Sequence, residues 1–116
     1  MVLVALIVGA FAASPAEATL YNFTITGTSG YSGSGTFTTS DTPDPNAENP
    51  GGFPVTAMTG TFKGSTIVQI DPVGTLYADN DFYASGLHVD DDGWTWRAGT
   101  QDYTPFTRSS GIFWDR

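Results

Sequence analysis

The sequence predicts an all-β protein, an antiparallel β-sandwich or open barrel of about seven short strands. Three observations carry this. No segment sustains a 3.6-residue apolar period. Short alternating apolar and polar runs are separated by Gly, Pro, Asn and Asp clusters, which is how strands and their turns read. Threonine is abundant in those runs, and its branched Cβ suits a pleated surface better than a helix. The 116-residue chain has room for one domain.

The first eighteen residues stand apart. Residues 2–13 (VLVALIVGAFAA) carry no charge, and Ser14-Pro15 ends the run. Ala16-Glu17-Ala18 then gives the small-x-small pattern of a signal-peptidase site, so 1–18 is expected to be a signal peptide cleaved after Ala18. The run is too short to span a hydrocarbon core, which takes about 20 apolar residues, so no stable membrane span is expected after cleavage. No Lys or Arg precedes it, a pattern expected of a start that lies upstream of Met1. Residues 19–116 are left as a single secreted domain.

Leu20–Thr26 places Tyr21, Phe23 and Ile25 on one face and Asn22, Thr24 and Thr26 on the other, a half-buried strand. A Gly-Ser turn over 27–35 leads to a strand at Thr36–Ser40, paired back as a hairpin. Asp41–Gly52 holds three prolines, three acids and two glycines in twelve residues. It is expected to be an exposed, mobile loop. Pro54–Phe62 and Ser65–Ile70 flank Lys63-Gly64 as the clearest hairpin. Asp71–Gly74 is a turn, Thr75–Tyr77 a short strand, and Asp79-Asn80-Asp81 a polar turn. Gly86–Val89 and Trp94–Arg97 flank Asp90–Gly93 as a further hairpin. Residues 98–116 read as less regular.

Composition excludes several functions. Twelve acids against four Lys and Arg give a net charge of −8 and a pI near 4.1. Such a surface is unsuited to nucleic acid, whose phosphates call for basic groups. With no cysteine there is no disulfide framework or thiolate chemistry, and one histidine, His88, cannot make a His-rich metal site.

Gly33-Ser34-Gly35-Thr36-Phe37-Thr38-Thr39 and Val55-Thr56-Ala57-Met58-Thr59-Gly60-Thr61-Phe62-Lys63-Gly64, in this order behind a leader, resemble small exported bacterial proteins of the PEP-CTERM sorting type. Asp79-Asn80-Asp81 and Ser85-Gly86-Leu87 correspond loosely to later turns and strands of that family. The resemblance spans residues 19–90. It implies an exported β-rich protein of exopolysaccharide-producing bacteria, with no assigned catalytic residues. The family's Pro-Glu-Pro motif, apolar helix and basic tail do not appear in this sequence. Export is therefore implied and surface anchoring is not.

Candidate chemistry is sparse. Gly30-Tyr31-Ser32-Gly33 fails the G-x-S-x-G elbow because position 34 is Ser. Asp90, Asp91 and Asp92 before Gly93 form an oxygen-rich turn that could attract calcium. Asp79 and Asp81 would join it only if the two turns meet. The EF-hand pattern is absent. Trp94 and Trp96 lie two apart on one strand face. They are expected to anchor the core, or, if exposed, to stack on sugar rings. The leading expectation is a non-enzymatic secreted or cell-surface protein of the extracellular matrix, associated with exopolysaccharide and needing no cofactor. The alternative is a small carbohydrate- or calcium-binding module.

Overall fold

A computed structural model describes residues 4–10, 18–47, 49–86, 88–108 and 111–115. Nine strands lie among them: β1 (Val4–Ala10), β2 (Ala18–Gly27), β3 (Gly33–Ser40), β4 (Phe53–Phe62), β5 (Ser65–Ile70), β6 (Asp81–Phe82), β7 (Trp96–Ala98), β8 (Gln101–Arg108) and β9 (Gly111–Asp115). All pairings are antiparallel, in the order β1-β2-β3-β4-β5-β7-β8-β9, with β6 set against the start of β4. The sheet curls into a half-barrel, and its end strands β1 and β9 touch. The all-β antiparallel expectation holds. No described helix is long and apolar enough to cross a membrane.

Alternation places the core. Phe23 and Ile25 of β2, Phe37 of β3, Val55, Met58 and Phe62 of β4 and Ile67 of β5 point into the curl and are buried. Their neighbours Asn22, Thr24, Thr56 and Thr66 face out. Trp94, Trp96, Tyr103 and Ile112 fill the interior from the other side. The rings meet edge-on or tilted: Phe62 lies 5.2 Å from Trp96 at 88°, and Phe37 lies 4.9 Å from Trp94 at 53°. Such geometries set the positive ring edge against the negative face.

Two turns follow from their residues. Lys63 and Gly64 both have positive φ, 51° and 77°, the twist a two-residue hairpin needs between β4 and β5. Gly35 and Gly60 are paired across β3 and β4. A Cβ on Gly60 would run into the carbonyl oxygen of Ser34, and one on Gly35 into that of Thr59.

Three local expectations are corrected. Thr75–Tyr77 is a single 3-10 turn, with Leu76 and Tyr77 in the left-handed region. Residues 101–108 and 111–115 pair as strands, although Pro105 interrupts the alternation. Among the described residues the hairpin expected around Asp90–Gly93 does not form, and Trp96–Ala98 pairs with β5 and β8 instead. His88 has φ 69° and Gly93 φ 74°, which break an extended path on both sides of the turn.

The expected leader contains β1, which pairs with β2 from Val4 opposite Gly27 to Ala10 opposite Tyr21. Residues 11–17, with Ala16 of the cleavage motif, lie outside the described residues. Ala18 begins β2 opposite Ser40.

Candidate functional site

The fold joins the two acidic turns that the sequence leaves apart. Asn80 is the link. It adopts the left-handed conformation, φ 62°, which asparagine tolerates better than most residues. Its backbone N–H donates to the Gly93 carbonyl at 2.9 Å. Its side-chain amide donates to the Asp71 carbonyl at 2.7 Å, and its Oδ1 accepts from the N–H of Thr95 at 2.8 Å. Asp79 and Asp81 are thereby set beside Asp90 and Asp92.

Asp90 is buried and fully engaged. Oδ1 accepts from the backbone N–H groups of Asp92 and Gly93, each at 3.0 Å. Oδ2 accepts from the Tyr83 hydroxyl at 3.0 Å. This side chain takes donors that a hairpin ladder would have used, which is how Asp shapes turns. Burial and the Asp90 carboxylate together push the Tyr83 phenol up from its usual range.

Asp81 is different. It is completely buried, and neither carboxylate oxygen has a hydrogen-bond partner. Burial, then the charge of Asp79, push its pKa up to about 8, and the adjoining carboxyl of Asp44 adds to the rise. Asp79 is pushed up to about 7, chiefly by burial, with the charges of Asp90 and Asp92 adding to it. The N–H of Asp81 donates to Asp79 Oδ1 at 3.1 Å and opposes that rise. Asp92 is raised by burial and by its neighbours Asp90 and Asp91.

Asp44 comes from the loop expected to be mobile. That loop is folded on itself and laid against the sheet. The N–H of Asp44 donates to the Gly52 carbonyl at 2.9 Å, and Asp44 Oδ1 accepts from the N–H of Asn46 at 2.8 Å. Gly52 packs so close to the Tyr83 ring that a Cβ there would sit 3.0 Å from the hydroxyl.

The sequence-derived sites are therefore redrawn. Asp90, Asp91 and Asp92 do not act as one ligand set: Asp90 serves the turn, Asp91 is exposed, and Asp92 is half-buried. Among the described residues no three His, Asp or Glu side chains gather at metal-holding spacing. Trp94 and Trp96 take the core position expected of them, not that of a stacking platform. Trp94 and Trp96 are 1% and 0% exposed, so no face of either indole is open to a sugar ring. The interior takes both because a small sheet protein needs their apolar area. His88 stacks on Phe82 at 5.6 Å and 13°. Its Nδ1 lies 2.8 Å from the Tyr83 carbonyl oxygen, which fixes the proton on Nδ1.

Sequence reasoning missed Asp44 and Tyr83. Only the docking of the loop brings Asp44 to the cluster, and no local pattern records that. A separate open cleft of about 290 Å³ is lined by Thr19, Tyr21, Thr39, Ser40, Asp41 and Phe53. Thr19 Oγ1 donates to Asp41 Oδ1 there at 2.7 Å. No protein-family model, curated protein or solved structure matches the chain.

Proposed function

We propose that the chain is an exported, non-enzymatic β protein that serves as a component of the extracellular matrix or cell surface, in contact with exopolysaccharide. The observation that carries this reading is the uncharged run of residues 2–13 followed by Ala16-Glu17-Ala18. Two features support it. The residues that invite a chemical role, Trp94, Trp96, Asp90 and His88, are spent on packing and turn formation. The acidic surface favours solubility and keeps the protein off anionic polymer unless cations bridge the two.

Expression of the full chain in a Gram-negative host tests this. Mass spectrometry of protein outside the cytoplasm should give a species beginning at Thr19. Recovery of intact precursor from the cytosol alone would overturn the reading.

A further inference from the structure

Asp81 poses a problem of charge. A carboxylate removed from water is normally paired or hydrogen-bonded, because desolvating it alone is costly. No N–H or O–H donor reaches either oxygen of Asp81, and the group adjoining it is another carboxyl, that of Asp44. Its surroundings deepen the problem, since the charges of Asp79, Asp44 and Asp90 all act on it. The two Lys and Arg side chains described are occupied elsewhere. Lys63 sits 3.9 Å over the Tyr31 ring, and Arg97 pairs with Asp102 at 2.7 Å. Neither supplies this seam, so its acids are neutralised by protons or by a cation taken from solution.

The oxygens differ in availability. Asp90 commits Oδ1 to two N–H groups and Oδ2 to Tyr83. Asp79 commits Oδ1 to the N–H of Asp81. Asp44 commits Oδ1 to Asn46. Asp81 alone commits nothing, and it adjoins Asp44 directly. We propose that Asp81 and Asp44 bind a calcium ion in the seam where the loop of residues 41–52 lies against β6. Asp79 and Asp90 surround it with negative charge.

Two carboxylates do not complete a calcium shell, and among the described residues no third His, Asp or Glu converges with them. The remaining ligands would be backbone carbonyls and water, which calcium accepts in irregular arrangements of six to eight oxygens. Magnesium demands a near-ideal octahedron and gives up water reluctantly, so this seam discriminates against it. The ion would clamp a Pro-rich loop to the sheet, with one ligand on each side. With so few protein charges the affinity belongs to the extracellular range, a Kd of roughly 10⁻⁴–10⁻³ M. The inference goes beyond the export reading and does not depend on it.

Calorimetric titration of the chelator-treated protein with calcium chloride, alongside thermal melts, tests the proposal. Calcium should release or absorb heat with a single-site isotherm. It should raise the Tm progressively, on the order of 10 °C at a hundredfold excess over Kd. Magnesium chloride at the same concentrations should do much less. Asp44→Asn and Asp81→Asn should each weaken calcium binding at least tenfold, whereas Asp91→Asn, at an exposed position, should leave it unchanged. Asp44 lies on the loop, away from the core, so its variant stays informative even if Asp81→Asn misfolds. A wild-type protein indifferent to about 10 mM calcium, well above the expected Kd, would overturn the site. So would a calcium response that survives Asp44→Asn intact, since that is diffuse screening of an acidic surface. Either result leaves the secretion experiment unaffected.

Discussion

Asn80 and Thr95 are fifteen residues apart, and the N–H of Thr95 donates to Asn80 Oδ1 at 2.8 Å in a buried setting. The same amide donates to the Asp71 carbonyl, so one side chain closes two strand ends and positions the acidic seam. Asn80→Ala strands a buried donor and a buried acceptor and forfeits a residue tolerant of positive φ. Urea denaturation should show a loss of about 2–4 kcal/mol. A loss under about 0.5 kcal/mol, the range of neutral surface changes, would mean that water replaces the amide without cost.

The Gly35–Gly60 pair gives a second expectation. Gly60→Ala meets the Ser34 backbone and a strained φ of 124°, whereas Gly64→Ala, at φ 77°, meets open space. Both substitutions carry backbone strain, and only the first also forces strands apart. Gly64→Ala should cost about 1–2 kcal/mol, and Gly60→Ala clearly more. Equal costs in parallel denaturant melts would refute the close approach of β3 and β4.

Trp96→Ala should cost about 3–5 kcal/mol, the range for deleting a large buried aromatic. The emission lost in this variant should be blue-shifted and poorly quenched by acrylamide, since the indole is 0% exposed. Arg97→Ala, next in sequence, removes an ion pair whose side chains are 45% and 25% exposed. It should lower the Tm far less than Trp96→Ala does, because exposed ion pairs are screened by solvent. Paired melts of the two variants separate packing from surface charge.

Stability should fall as pH rises in chelator. Asp81 and Asp79 are raised to about 8 and about 7 in the folded protein, against about 3.9 when unfolded. The folded state therefore holds protons that the unfolded state has released. The stabilisation is complete below the unfolded value and is lost as pH climbs through the folded values. The Tm should be higher at pH 5 than at pH 8.5, and Asp81→Asn should flatten the slope. Asp102, lowered chiefly by its hydrogen bond with Arg97, acts with the opposite sign, and only in acid below the ordinary carboxylate range. A Tm that rises from pH 5 to 8.5 would contradict the buried acids.

The strands were legible where one face is wet and the other dry. Tyr21, Phe23 and Ile25 alternate with polar residues, and β2 forms as that pattern requires. Lys63-Gly64 announces its hairpin through turn chemistry alone. Pattern failed where side chains capture backbone donors. Asp90 takes the N–H groups of Asp92 and Gly93, so an Asp-Gly step that reads as a hairpin becomes a compact turn. It failed again at Pro105, which sits in β8 opposite Trp114 despite having no N–H. The site was half visible. The acids of both turns stand out in the sequence. Asp44 did not, because its proximity to Asp81 comes from a loop docking across the sheet.

Carboxyl ¹³C NMR of aspartate-labelled protein, with the Asp81 signal assigned through Asp81→Asn, goes straight to the seam. In chelator that carbon should stay protonated through neutral pH and titrate near 8. Saturating calcium should shift its resonance and abolish the titration in that range. An Asp81 signal that titrates below pH 5 like a solvated side chain, and does not move with calcium, would contradict the account.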